Sequence, residues 1–160
     1  MNISSRKFFA PIALVSLCFA ASNAVADDMD DVRGFIERYA ALEGNLEEQA
    51  EMIRDDRVMI ATGVRQRNNA QNMAAQMAQR DHASRVNGGP AEWMMRAEDA
   101  EIRIYGDVAV ASFMRLTSIF PANASAINTS PLWVTLVMVK ERGNWGIAHT
   151  HISGVGPNSN

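Results

Sequence analysis

The spacing of apolar and polar residues changes at Pro90. Before it, apolar side chains return every three or four positions, and after it every second position. The first spacing predicts helices and the second predicts strands. From Asp30, the residues Val32, Phe35, Ile36, Tyr39, Ala40 and Leu42 form one helical stripe, which Gly44-Asn45 breaks. Leu46 to Ile53 reads as a second, short helix with Leu46, Ala50 and Ile53 on one side. Arg57 to Thr62 reads as a short strand, and Gly63 to Asn69 as a polar turn. Asn68 or Asn69 then caps a third helix running to about Val86. Its stripe is Ala70, Met73, Ala74, Met77, Ala78 and then Asp81 or His82, and Asn87-Gly88-Gly89-Pro90 stops it.

The strand half begins with Trp93 to Tyr105 and Val108 to Phe120, joined by a hairpin at Gly106-Asp107. Unbroken pairing from that turn places Glu98 opposite Arg115 and Arg96 opposite Thr117. Pro121 to Pro131 is a polar loop, Leu132 to Glu141 a third strand, and Trp145 to Ser153 a fourth. Two looped residues between the last two strands, again with unbroken pairing, set His149 and His151 on the face of Leu132, Val134, Leu136 and Met138. Trp133, Thr135, Val137 and Val139 then share the other face with Ala148, Thr150 and Ile152. Both faces of this hairpin are apolar, so both need cover. The helices can cover one. A partner subunit or a ligand must cover the other.

The first 26 residues do not belong to this pattern. Arg6 and Lys7 precede the apolar run PIALVSLCFAA, and Ala24-Val25-Ala26 forms a small-residue cleavage site. This is the layout of a secretory signal peptide, and its apolar run is too short to anchor the mature protein in a bilayer. Leu17 before Cys18 disfavours a lipid-attachment site. The single cysteine leaves with the leader, so residues 27–160 form one domain without a disulfide, expected in the periplasm or outside the cell. That segment holds 13 basic and 18 acidic residues, a net charge of −5. An acidic surface without a basic run excludes nucleic acid and anionic membrane as natural partners.

Candidate chemistry is sparse. His149 and His151 lie on one face of the last strand, about 7 Å apart. A metal needs more donors than this pair, and only His82 remains, so no metal and no cofactor are expected. The pair has three other uses: an acid/base group, an anion-holding pocket, or packed side chains at a dimer seam. Arg115 is either a cross-strand ion pair with Glu98 or a cation held by Glu98 toward an anionic ligand. Asp99 and Glu101 share a strand face, and Tyr39, Tyr105 or Trp93 could donate a hydrogen bond, but together they form no recognisable catalytic motif. Asp81 and His82 are adjacent on a helix, hence about 100° apart, and cannot pair with each other. Met52, Met59, Met73, Met77, Met94, Met95, Met114 and Met138 suit either a core or an adaptable pocket wall. Met73 and Met77, one turn apart, suit both.

Three motifs carry a resemblance. The hairpin DAEIRIYGDVAVA (residues 99–111) resembles that of SnoaL-like domains. Arg115-Leu116-Thr117 resembles the middle strand of the calcium/calmodulin-dependent protein kinase II association domain. Trp145-x-x-x-His149-x-His151-x-Ser153-Gly154 is similar to the closing strand of both. The chain thus resembles the nuclear transport factor 2-like superfamily over about residues 30–154. The resemblance implies an α+β cone, with three N-terminal helices on a strongly bent, mainly antiparallel sheet, a pocket at its open end, and sheet-to-sheet homodimers or higher oligomers. It also implies, at the position of Arg115, an arginine in a pocket for carboxylate-bearing molecules. A second arginine that the resemblance places on the loop before the third strand has no counterpart in residues 121–131. Three functions remain in view: a binding or accessory module for a largely apolar molecule with an anionic group; an isomerase, cyclase or dehydratase using His149 or His151 beside Arg115; or an oligomerisation scaffold. The expected pocket residues are Arg115, Glu98, Tyr39, Met73, Met77, Trp93, His149 and His151.

Overall fold

The computed structural model describes residues 16–156, with side chains described from residue 27. Helix α1 spans Ser16–Ala41 and passes into a 3₁₀ turn, Leu42–Gly44. Helix α2 is Leu46–Glu51 and α3 is Asn69–Val86. The strands are β1 (Ile53–Ala61), β2 (Val64–Gln66), β3 (Glu92–Tyr105), β4 (Val108–Phe120), β5 (Ile127–Asn128), β6 (Leu132–Glu141) and β7 (Asn144–Gly154). They form one curved, open sheet in the order β2-β1-β7-β6-β4-β3, with the short β5 on β4. Every pairing is antiparallel except β1 with β7. The expected leader falls largely outside the described residues, because residues 1–15 and the side chains of 16–26 are not described.

The predicted stripe on α1 is its buried face. Val32, Ile36 and Ala40 are buried at four-residue spacing, and Met29, Phe35 and Tyr39 flank them. They pack on the inner sheet face, formed by Ile102 of β3, Ala109, Ala111 and Phe113 of β4, Val134, Leu136 and Met138 of β6, and Trp145 and Ile147 of β7. Phe113, Leu136 and Met138 are fully buried, and each such side chain contributes about 1.5–3 kcal/mol by leaving water.

Two bulges overturn the unbroken pairing expected of the strands. Between β3 and β4 the register slips between Glu98 and Glu101, where Asp99 takes a positive φ of 58°. A residue in that conformation inserts an extra step into one strand. Arg115 therefore pairs with Ala97, and Glu98 with Met114 on the outer face. Between β6 and β7, Met138 pairs with Ile147 but Val137 pairs with His149, so Ala148 is the extra residue. One extra residue reverses the faces of all that follow it. His149 and His151 accordingly lie with Val137 and Thr135, and Ile152 lies with Val134 on the inner face.

Three smaller differences matter for the site. β1 starts at Ile53, before the expected Arg57, because the parallel ladder to β7 extends it. The supposed polar turn after it holds β2, joined through Thr62-Gly63, both at positive φ. The polar loop before β6 holds β5, which closes on β4 through Ser118 and Asn128.

A polar cavity under the third helix

The inward series of β4 shows how the packed core gives way to a cavity. Ala109, Ala111 and Phe113 lie under α1. The next inward residues are Arg115, Thr117 and Ile119, beyond the end of that helix, and they line a cavity of about 500 Å³. Tyr39 and Glu43 close its near side. Both continue the buried stripe of α1, since Glu43 lies four residues after Tyr39 and seven after Ile36. The sheet contributes Arg57, Met59 and Ala61 from alternate positions of β1, Leu132 from β6 and Ile152 from β7. Trp93 of β3 and Thr129 complete the rim.

Helix α3 covers the cavity with a polar face. Asn68 caps it by accepting the Gln71 N–H at 2.9 Å. Asn72, Gln76, Gln79 and Arg80 face the cavity, with Ala75 among them. Asn69 and Asn72 are buried, whereas Met77 is 40% exposed and Ala70, Ala74 and Ala78 are exposed. The apolar stripe expected to face the sheet therefore turns outward. A helix lying on a solid core must bury its apolar side, but one roofing a polar cavity can present carboxamides to it.

Four ionised side chains line the cavity. Glu43 is 3% exposed and its Oε1 accepts from Arg115 Nη2 at 2.9 Å and lies 3.4 Å from Arg80 Nη2. Gln49 Nε2 donates to the other carboxylate oxygen at 3.3 Å and to the Tyr39 carbonyl at 2.9 Å. Arg115 is held further by its Nε bond to Thr117 Oγ1 at 3.1 Å. Arg80 also donates to the Glu43 carbonyl and stacks 4.9 Å over the Trp93 ring. Burial pushes the Arg80 guanidinium down, and Glu43 offsets part of that.

Arg57 differs from these. It is 1% exposed and donates from Nη1 to Thr150 Oγ1 at 3.3 Å, while its Nε and Nη2 have no partner among the described residues. Burial pushes its pKa down. Gln66 Oε1, also in the lining, is a buried acceptor without a partner among the described residues. Tyr39 lies close enough to Arg115, Glu43 and Arg57 for each to influence it, and burial dominates, raising its pKa.

Of the residues expected at the pocket, Arg115, Tyr39 and Trp93 are brought together. Met73 and Met77 are on α3 but not in this lining; Met77 borders a smaller hollow with Leu46, Asp81 and Pro90. Glu98 is on the outer face and approaches Arg96 at 3.5 Å, not Arg115. His149 and His151 are on the outer face as well, the first half-buried and the second exposed. Arg57, Arg80 and Glu43 were not foreseen. Their signals were present: Arg57 stands on the face of Met59 and Ala61 at alternate positions of one strand, Glu43 prolongs an apolar stripe, and Arg80 follows Asn72 and Gln76 at helical spacing.

The model of the SnoaL-like domain matches residues 32–157. The chain belongs to the SnoaL-like family. Solved structures agree on the fold of this SnoaL-like domain. An NTF2-like protein with a cystatin-like fold from Novosphingobium aromaticivorans superposes with a TM-score of 0.71 at 17% identity, covering 94% of this chain and 95% of its own. The CamKII hub homology domain of Chlamydamonas reinhardtii gives 0.62 at 20% identity, covering 81% and 99%. ActVI-ORFA from Streptomyces coelicolor gives 0.65 at 12% identity, covering 79% and 96%. No match to the SnoaL-like chain was found among curated proteins. At these identities the structural neighbours establish the fold alone.

Proposed function

We propose that this SnoaL-like protein is exported and holds a small anionic molecule in the cavity beneath α3, acting by binding rather than by acid/base turnover. The observation that carries this reading is Arg57, a buried cation in the cavity wall with two N–H groups unpartnered among the described residues. Such a group costs several kcal/mol, on the order of the penalty for an unpaired buried ion, unless something compensates it. Arg115 and Arg80 supply further donors, in the fork geometry that matches carboxylates. Met59, Ile119, Leu132 and Ile152 leave an apolar strip for a carbon skeleton.

Acid/base chemistry of the isomerase or cyclase kind needs a proton acceptor near the substrate. Among the described residues, the one carboxylate in the lining is engaged by two arginines and a glutamine, and no histidine lines the cavity. The reading extends to a second copy of the chain covering the outer sheet face. A thermal-melting screen against small carboxylic acids tests the binding function. Several acids should raise the melting temperature, and Arg115→Ala should abolish the rise. A broad acid library without one stabilising member would refute it.

A further inference from the structure

The charges around the cavity do not balance. Among the described residues, three guanidiniums, those of Arg57, Arg80 and Arg115, line it with one carboxylate, that of Glu43, a net charge of +2. Glu43 serves Arg115 and Arg80 together, so one positive charge is left over between them. Arg57 has no carboxylate partner among the described residues and supplies the other. Tyr39 does not close the gap, because burial keeps its phenol protonated at neutral pH. Excess charge in a wall of low dielectric is costly, and a bound counter-charge relieves it.

The two excess charges sit apart. Arg57 is on β1 and Arg115 on β4, with β7 and β6 between them. Three strand spacings separate them by roughly 14 Å across the sheet, the ladders also set Arg57 near the level of Val110 rather than of Arg115, and both side chains line the same cavity. The inward residues of the intervening strands are Ile152 and Leu132, both apolar. A single phosphate would face one cation cluster and leave the other uncompensated. We infer that the cavity takes a small organic dianion whose two carboxylates are separated by an apolar skeleton, one carboxylate at Arg115 and one at Arg57, with the skeleton over Leu132 and Ile152. This rests on the anion-binding reading above and narrows it to a ligand class.

Calorimetric titration of the mature chain with matched acids tests it: hexanoate against adipate, benzoate against terephthalate, and phenyl phosphate as the single-point dianion. The diacids should bind about tenfold or more tightly than the monoacids, as expected for one added charged hydrogen-bonding contact. Arg57→Gln should remove that gain, bringing each diacid down to the affinity of its matched monoacid. In the wild type alone, affinity along a series of straight-chain diacids should peak at one length and fall on either side, which keeps the test decisive if the variant does not fold. Monoacids bound as tightly as diacids, a flat length dependence, or phenyl phosphate exceeding every diacid would each overturn the dicarboxylate assignment while sparing anion binding. Failure of all acids to bind would remove both.

Discussion

Glu43, Arg115 and Arg80 form a buried electrostatic unit, and that burial sets what a substitution does. Truncating one member of a buried ion pair strands its partners in low dielectric. Glu43→Ala should therefore destabilise the chain by about 3–5 kcal/mol, read from urea unfolding. Formate or acetate should restore part of the loss, since a small carboxylate can occupy the vacated position beside Arg115. Arg57 should behave in the opposite way. Replacing an uncompensated buried cation by a residue of similar length removes a desolvation cost, so Arg57→Met should raise stability by roughly 1–3 kcal/mol. A loss of similar size would show that Arg57 is fully compensated in the free protein. A site that lowers stability in order to bind is the expected form of such a trade.

At the level of elements, the bulges decide which side chains meet. β4 runs without interruption, so its inward series could be followed from the alternation of Ala109, Ala111, Phe113 and Arg115. Its partner β3 does not, because Asp99 adopts a left-handed conformation that aspartate tolerates better than most residues. Asp99→Gly should leave stability unchanged or slightly higher, while Asp99→Val should cost about 1–3 kcal/mol by forcing a β-branched residue into that conformation. Equal melting temperatures for the two variants would argue that the bulge relaxes away. The extra residue Ala148 had no such marker, and an alanine within Gly146-Ile147-Ala148-His149 reads as ordinary strand. Helix α3 shows the same limit differently. Its length and cap were legible from Asn68 and Gly88, but its orientation was not, because alanine-rich and carboxamide-rich faces are both compatible with a helix and only the cavity beneath decides between them.

For the molecule as a whole, the sheet's outer face carries apolar side chains that nothing among the described residues covers fully. Val58, Ile60, Val137 and His149 share it with Trp133, which is 38% exposed. A second copy applied to this face would bury it, and such an assembly would leave the cavity free on the opposite side. Light scattering should then give a dimer mass, and Trp133→Glu should reduce it to a monomer without changing acid binding. A monomeric wild-type protein would set that reading aside. The proposed export makes a separate prediction. The secreted or periplasmic form should begin at Asp27, where an N-terminal acidic run Asp27, Asp28, Asp30 and Asp31 would open α1 with charges that suit a helix N-terminus. Lys140 of β6 already pairs with Asp28 and would tie that end to the sheet.

The sequence alone determined the family, the α+β order of elements and the buried stripe of α1. Each of these depends on local periodicity, on hairpin chemistry such as Gly106-Asp107, or on short motifs that survive without knowledge of distant neighbours. It also singled out Arg115, through resemblance. The tertiary structure alone decided that Glu43 rather than Glu98 holds Arg115, that Arg57 and Arg80 join it, and that His149 and His151 face away. The physical reason is parity. A strand's side chains alternate, so one extra residue at Asp99 or Ala148 exchanges the two faces, and a contact such as Glu43 to Arg115 joins positions 72 residues apart that no local pattern relates.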